Sequence, residues 1–96
     1  KLINALFPSS AIAGFPRITA LKLISKHELH ERSFYSGFLG ACKGNDSSFY
    51  VNLRCLNVKD DKISLYVGSG ITKDSDPDNE WMEILKKSET MLNVIF

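Results

Sequence analysis

The chain has 96 residues, 12 basic and 11 acidic side chains, and a formal net charge of +1. That length allows one domain at most. Lys and Arg are interleaved with acids along the chain, so no basic footprint for nucleic acid forms; no apolar run is long enough to span a membrane, and no signal-peptide pattern is present.

The chain starts at Lys1 without a Met and runs at once into LINALF, which reads like the middle of a longer sequence. Residues 7–14, FPSSAIAG, form a small-residue loop. Pro16 suits the first turn of a helix, where its missing N–H is not needed. Ile18, Leu21 and Ile24, with Ala20, then make a helical stripe to about Lys26. His27, Glu28, His30, Glu31 and Arg32 are a polar exit; with no further ligand nearby, the two histidines do not make a metal site.

Three strand-like runs follow. Residues 34–42 are aromatic and glycine-rich, a strand that something approaches closely, and Gly44 to Ser47 signals a turn. Residues 48–58 alternate, with Phe49, Val51, Leu53 and Cys55 on one face and Tyr50, Asn52 and Arg54 on the other. Residues 59–62 make a tight connection to Ile63, Leu65 and Val67. Cys42 and Cys55, in these runs, are too few for a disulfide scaffold and read as buried free thiols of a cytoplasmic, reducing compartment.

The last element is a helix. Ser75 or Asp76 can cap it, Pro77 fits its first turn, and Asp78 and Glu80 suit the positive end of its dipole. Trp81, Ile84, Leu85, Met91, Leu92 and Ile95 share one face with Ser88. Short connections favour an antiparallel meander. The expected fold is therefore α+β: a helix, a three-stranded antiparallel meander, and a C-terminal helix packed on the sheet.

Glu83 and Lys87 stand one turn apart, away from the apolar stripe. An i,i+4 pair of this kind is a routine solvated ion pair worth about 0.2–0.5 kcal/mol, or a place to hold an anion and a metal. Arg54, on its own reading, is a surface arginine of a strand. Gly68-Ser69-Gly70 after a strand is a turn, or a point where backbone must come close to a ligand. Tyr35, on its own reading, fills a sheet surface.

The stretch GSGITKDSDPDNEWMEILKKSE from Gly68 to Glu89, with its Gly-x-Gly-Ile, Ser-x-Pro and Glu-Trp-x-Glu-x-x-x-Lys, resembles the C-terminal end of the chorismate-utilising enzymes. The resemblance covers nearly the whole chain but only the last quarter or so of the family's usual length. It implies that residues 1–96 are the C-terminal portion of a chorismate-binding catalytic domain. Its partners would be chorismate or isochorismate and the remainder of the parent enzyme, with no nucleic acid and no membrane. The resemblance makes Glu83 a ligand of Mg²⁺, with Glu80 near the same shell, and Mg²⁺ the cofactor. It gives Arg54, Tyr35 and Lys87 to the substrate carboxylate region, with backbone N–H groups of Gly68 and Gly70 beside it; Ser69 stands where the family commonly has Ala.

The segment PSSAIAGFPR places Ala11 and Ile12 before Gly14. The anthranilate and salicylate branches commonly carry Thr at the position of Ala11, whereas isochorismate synthases carry Ala. The chain thus looks most like an isochorismate synthase, an isomerase that adds water at C2 of chorismate while the 4-hydroxyl leaves, and most like its menaquinone type. The salicylate, anthranilate and aminodeoxychorismate synthases are the close alternatives, and a non-catalytic α+β binding module is the alternative of another class. The family's general base and second metal-binding Glu have no match here and are expected upstream, so the chain alone is expected to be inactive. Arg54, Tyr35, residues 68–70 and Lys87 are expected on one concave surface, with Glu83 at its edge.

Overall fold

A computed structural model describes residues 1–96. The chain divides into two compact units, Lys1–Asn52 and Leu53–Phe96.

The first unit holds three short helices and a hairpin: α1 (Leu2–Leu6), α2 (Ser10–Ala13), α3 (Arg17–His27), β1 (Phe38–Lys43) and β2 (Asp46–Val51). Pro16 stands at the N-cap of α3, one residue before the first turn in which the sequence puts it, and the next residue ties α3 to α1: Arg17 Nη1 donates to the carbonyl of Ala5 at 2.8 Å. Between α2 and α3, Gly14 sits at φ 118°, ψ 174°, and a Cβ there would meet the Cβ of Ala20 at 2.9 Å. Only glycine reaches that backbone region at low cost. β1 and β2 pair antiparallel with Gly40 opposite Phe49. A Cβ on Gly40 would lie 2.1 Å from Ser48 O and 2.5 Å from the Phe49 ring; this is the close approach that the glycine-rich run implies. Phe7, Phe38 and Phe49 stack in sequence, with centroids 5.2 Å and 5.8 Å apart, the second pair edge-on.

The second unit is a hairpin and one long helix: β3 (Cys55–Lys59), β4 (Lys62–Tyr66) and α4 (Pro77–Ile95). β3 and β4 pair antiparallel from Cys55 opposite Tyr66 to Lys59 opposite Lys62, and α4 packs against β4. Asp76, of the two candidate caps, takes the role: its Oδ1 accepts from the amides of Asp78 (2.9 Å) and Asn79 (3.1 Å). Ser75 instead accepts from Thr72 N at 2.8 Å and shapes the entry loop.

The α+β class holds, with four strands in two separate two-stranded sheets where the alternation suggests three strands. The run 48–58 is broken at Asn52, Leu53 and Arg54. Asn52 spends its backbone on the first unit, accepting from Ser36 N (2.8 Å) and donating to Gly37 O (2.9 Å). Arg54 then takes φ 50°, a left-handed conformation that interrupts an extended path. The first run starts late for a related reason: residues 33–36 are a turn, so Tyr35 precedes β1.

The apolar interior is small. Met91 is the one buried residue, and Leu39, Tyr50, Val58, Trp81 and Leu92 are among many exposed large side chains. Cys42 is exposed and Cys55 half-buried, both as free thiols, so the expectation of two buried thiols fails for Cys42, whose strand has no cover on it. The least exposed line of α4 is Glu80, Ile84, Lys87, Ser88, Met91 and Ile95, while Trp81 is 60% exposed. The helix is thus turned from the expected stripe, because Lys87 as well as Ile84 and Met91 lies on its sheltered side. No helix is long and apolar enough to cross a membrane.

Candidate functional site

In the second unit the middle of α4 and the segment just after β4 meet around one ammonium group. Lys87 Nζ donates to the carbonyl of Gly68 at 3.0 Å and lies 2.5 Å from Glu83 Oε1. The lysine side chain is 25% exposed and the glutamate 49%. A charged donor shared by a carbonyl and a carboxylate, and half withdrawn from water, has stronger interactions than a fully solvated pair. Lys87, Gly68 and Glu83 are therefore brought together, with the cation facing the end of the strand.

Gly70 lies two residues on. A Cβ at this position would meet no other atom within 4 Å, and its φ is not left-handed. The chain itself therefore does not require glycine here; open room remains for backbone to approach another molecule. Arg54, just before β3 and so at the same end of the unit's hairpin as Gly68, since Cys55 stands opposite Tyr66, is exposed, and none of the three ion pairs involves it. It does not lie in a strand as the alternation suggests; its left-handed φ takes its side chain out of the strand's in-and-out order.

Glu80 is half-buried on α4, one turn before Glu83, and its Oε2 is buried without a hydrogen-bond partner. A buried carboxylate oxygen without a donor is costly unless something else satisfies it. Two carboxylates at i,i+3 on one helix, one of them carrying such an oxygen, suit a hard cation that takes one or two carboxylates and fills its remaining positions with water and substrate oxygens. No cluster of three or more His, Cys, Asp or Glu that could hold a metal is found. Carboxylates are the donor type that Mg²⁺ takes.

The first unit carries the other candidates. Ala11, exposed, and Ile12, half-buried, lie in α2, whose place is fixed by Gly14 against Ala20. Tyr35 is half-buried in the turn 33–36. Beside it is a network that sequence reasoning passed over as a polar exit. Arg32 Nε and Nη2 donate to Glu28 Oε1 (2.6 Å) and Oε2 (2.7 Å), and Nη1 donates to Ser36 Oγ (3.1 Å). The guanidinium lies 5.6 Å from the Tyr35 ring centre, and His30 Nε2 is 3.4 Å from Glu28 Oε1. The hydrogen bond from Arg32 holds the Glu28 carboxyl below its ordinary pKa, and the same bond raises that of Arg32. The signal available in the sequence was the i,i+4 spacing of Glu28 and Arg32, which here forms just past the end of a helix.

A family model described as chorismate binding enzyme matches residues 1–93. Isochorismate synthase MenF of Escherichia coli (strain K12) is 38% identical over 86 residues, covering 90% of this chain and 20% of that protein. The chloroplastic isochorismate synthase of Catharanthus roseus is 38% identical over 93 residues, covering 95% of this chain and 16% of that protein. Anthranilate synthase component 1 of Streptomyces coelicolor is 34% identical over 94 residues, covering 97% of this chain and 18% of that protein. The chain thus spans about a fifth of the length of these relatives. No solved structure matches.

Proposed function

The chain belongs to the chorismate binding enzymes, and from that premise we propose that it is the C-terminal portion of an isochorismate synthase, Mg²⁺-dependent and of the menaquinone type, working in the cytoplasm. In this reading water adds at C2 of chorismate and the 4-hydroxyl leaves as the ring double bonds shift. The base that takes the proton from water lies outside these residues, so the chain alone does not turn over substrate.

The residues here bind and orient. Arg54 offers an unpaired planar guanidinium to a substrate carboxylate. Lys87 adds a second cation, and the open backbone at Gly70, beside Gly68, admits that carboxylate closely. Tyr35, in the first unit, is read from the family motif as a substrate contact. Glu83 and Glu80 are the residues that would hold Mg²⁺, whose charge supports a bound carboxylate. While Glu83 is paired only with Lys87, each neutralises the other; a cation on Glu83 leaves the ammonium available to substrate. Ala11 and Ile12, in the first unit, are read as the residues that favour water over other reactants.

The observation that carries the reading is the placement of Lys87 between Glu83 and the Gly68 carbonyl, with the unpartnered Glu80 oxygen one turn away. The choice of the isochorismate branch over anthranilate synthesis rests on the methyl group of Ala11 and on the names of the relatives above. The test is Glu83→Gln in the full-length enzyme, with Mg²⁺ titration and product analysis. The variant should fold, bind Mg²⁺ more weakly and lose most isochorismate formation, since the amide removes the ligand charge. Unchanged activity at saturating Mg²⁺ would reduce Glu83 and Lys87 to a solvated ion pair.

A further inference from the structure

Tyr35 sits in a turn with two backbone conformations that its residues do not favour. Ser33 has φ 52° and Ser36 φ 61°, both left-handed and neither glycine. Such residues persist only where surrounding contacts over-determine them. Two sets of contacts do so here. Asn52 closes one side, through its backbone to Ser36 and Gly37 and through Nδ2, which donates to Phe34 O at 3.0 Å. The guanidinium of Arg32 closes the other.

Every nitrogen of the Arg32 guanidinium is engaged. Two of its nitrogens are taken by the fork of Glu28 and a third by Ser36 Oγ, while its face lies over the Tyr35 ring. Its carbonyl also accepts from Tyr35 N at 2.9 Å. The side chains are about a quarter exposed, at 27% for Arg32 and 22% for Glu28, so a bidentate pair here is more ordered than a solvated surface pair. Three of the five Arg32 N–H donors, one on each nitrogen, are taken by Glu28 and Ser36. Arg32 grips the Ser36 hydroxyl, the backbone N–H of Tyr35 and the Tyr35 ring itself.

We propose that Arg32, locked by Glu28, is a positioning residue that holds the 33–36 turn and thereby sets the direction of Tyr35. The consequence for catalysis rests on the reading of Tyr35 as a substrate contact given under the proposed function. Arg32 touches no reacting atom; it acts on substrate binding through Tyr35.

The experiment uses the full-length enzyme with Arg32→Ala, Arg32→Lys, Glu28→Gln, Tyr35→Phe and the Arg32→Ala/Tyr35→Phe pair. Hydrogen exchange reads the turn directly. The amides of Tyr35, Ser36 and Gly37 should exchange about tenfold faster or more in Arg32→Ala, with those of α4 unchanged as a check on folding. The effect should be intermediate in Arg32→Lys, which keeps the charge without the fork. If Arg32→Ala does not fold, Glu28→Gln carries the same measurement with less loss. The chorismate KM should rise about tenfold in both Arg32→Ala and Tyr35→Phe, with kcat moving less, and the pair should be no worse than either alone. Unchanged exchange at residues 35–37, or KM effects that multiply in the pair, would overturn the proposal. Faster exchange with an unchanged KM in Tyr35→Phe would uphold the positioning of the turn and overturn the substrate role of Tyr35.

Discussion

Replacing Gly14 by Ala in the full-length enzyme tests how the loop carrying Ala11 and Ile12 is held. Two costs are visible. The backbone at φ 118°, ψ 174° is in a region open essentially to glycine alone, and placing a side chain there costs about 1–3 kcal/mol. The new Cβ would also stand 2.9 Å from the Cβ of Ala20. That atom is fixed to the α3 backbone and cannot swing away, so helix and loop must separate, at an overpacking cost of about 1–3 kcal/mol. The expected loss is about 2–6 kcal/mol, among the larger single-residue effects. Urea unfolding at constant m-value reads it as a lower midpoint. A cycle with Ala20→Gly separates the two terms. Ala20→Gly alone should cost about 1 kcal/mol for a glycine inside a helix, and the pair should show a favourable coupling of about 1–3 kcal/mol as the clash is relieved while the backbone cost remains. A loss below about 0.5 kcal/mol in Gly14→Ala, or additive effects in the pair, would refute the account of this contact.

Two further outcomes are expected. Ala11→Thr in the full-length enzyme should lower isochorismate formation and raise by-product from loss of pyruvate, because a hydroxyl beside the reacting ring moves water by a small distance to which rate is sensitive; chromatography of products checks it, and an unchanged ratio at unchanged rate would remove Ala11 from the choice of reaction. The isolated 96-residue chain should associate with itself and show no chorismate turnover, since both sheets have two strands with open edges and Met91 alone is buried; a monodisperse monomer at high concentration, or turnover, would contradict this.

Helix α4 was legible in outline because its start is written in local chemistry: a capping side chain, Pro77 and acids in the first turn. Its rotation was not. Hydropathy groups Trp81 with Ile84 and Met91, but Lys87 finds the Gly68 carbonyl, and a bond to a distant residue decides which side turns inward. The hairpins were legible as alternating runs with turn residues between them. The break at 52–54 was not, since alternation passes through it undisturbed and an arginine does not announce a positive φ. The candidate residues of α4 were named from a motif; the carbonyl partner of Lys87 and the orphaned oxygen of Glu80 required coordinates. The Glu28–Arg32 fork was within reach as an i,i+4 spacing, but its value lies in what the guanidinium does next, to Ser36 and Tyr35, which no spacing rule conveys.

The left-handed backbone of Arg54 sets stability and binding against each other at a single position. A non-glycine residue there costs about 1–2 kcal/mol, which Arg54→Gly would recover in part, less the added freedom of glycine in the unfolded chain. The same change removes the one exposed guanidinium at the start of β3. Variants ranked by heat resistance alone would therefore favour losing a group that the proposed function needs, and enrichment of Arg54→Gly in such a ranking would report relief of the backbone rather than improvement of the enzyme.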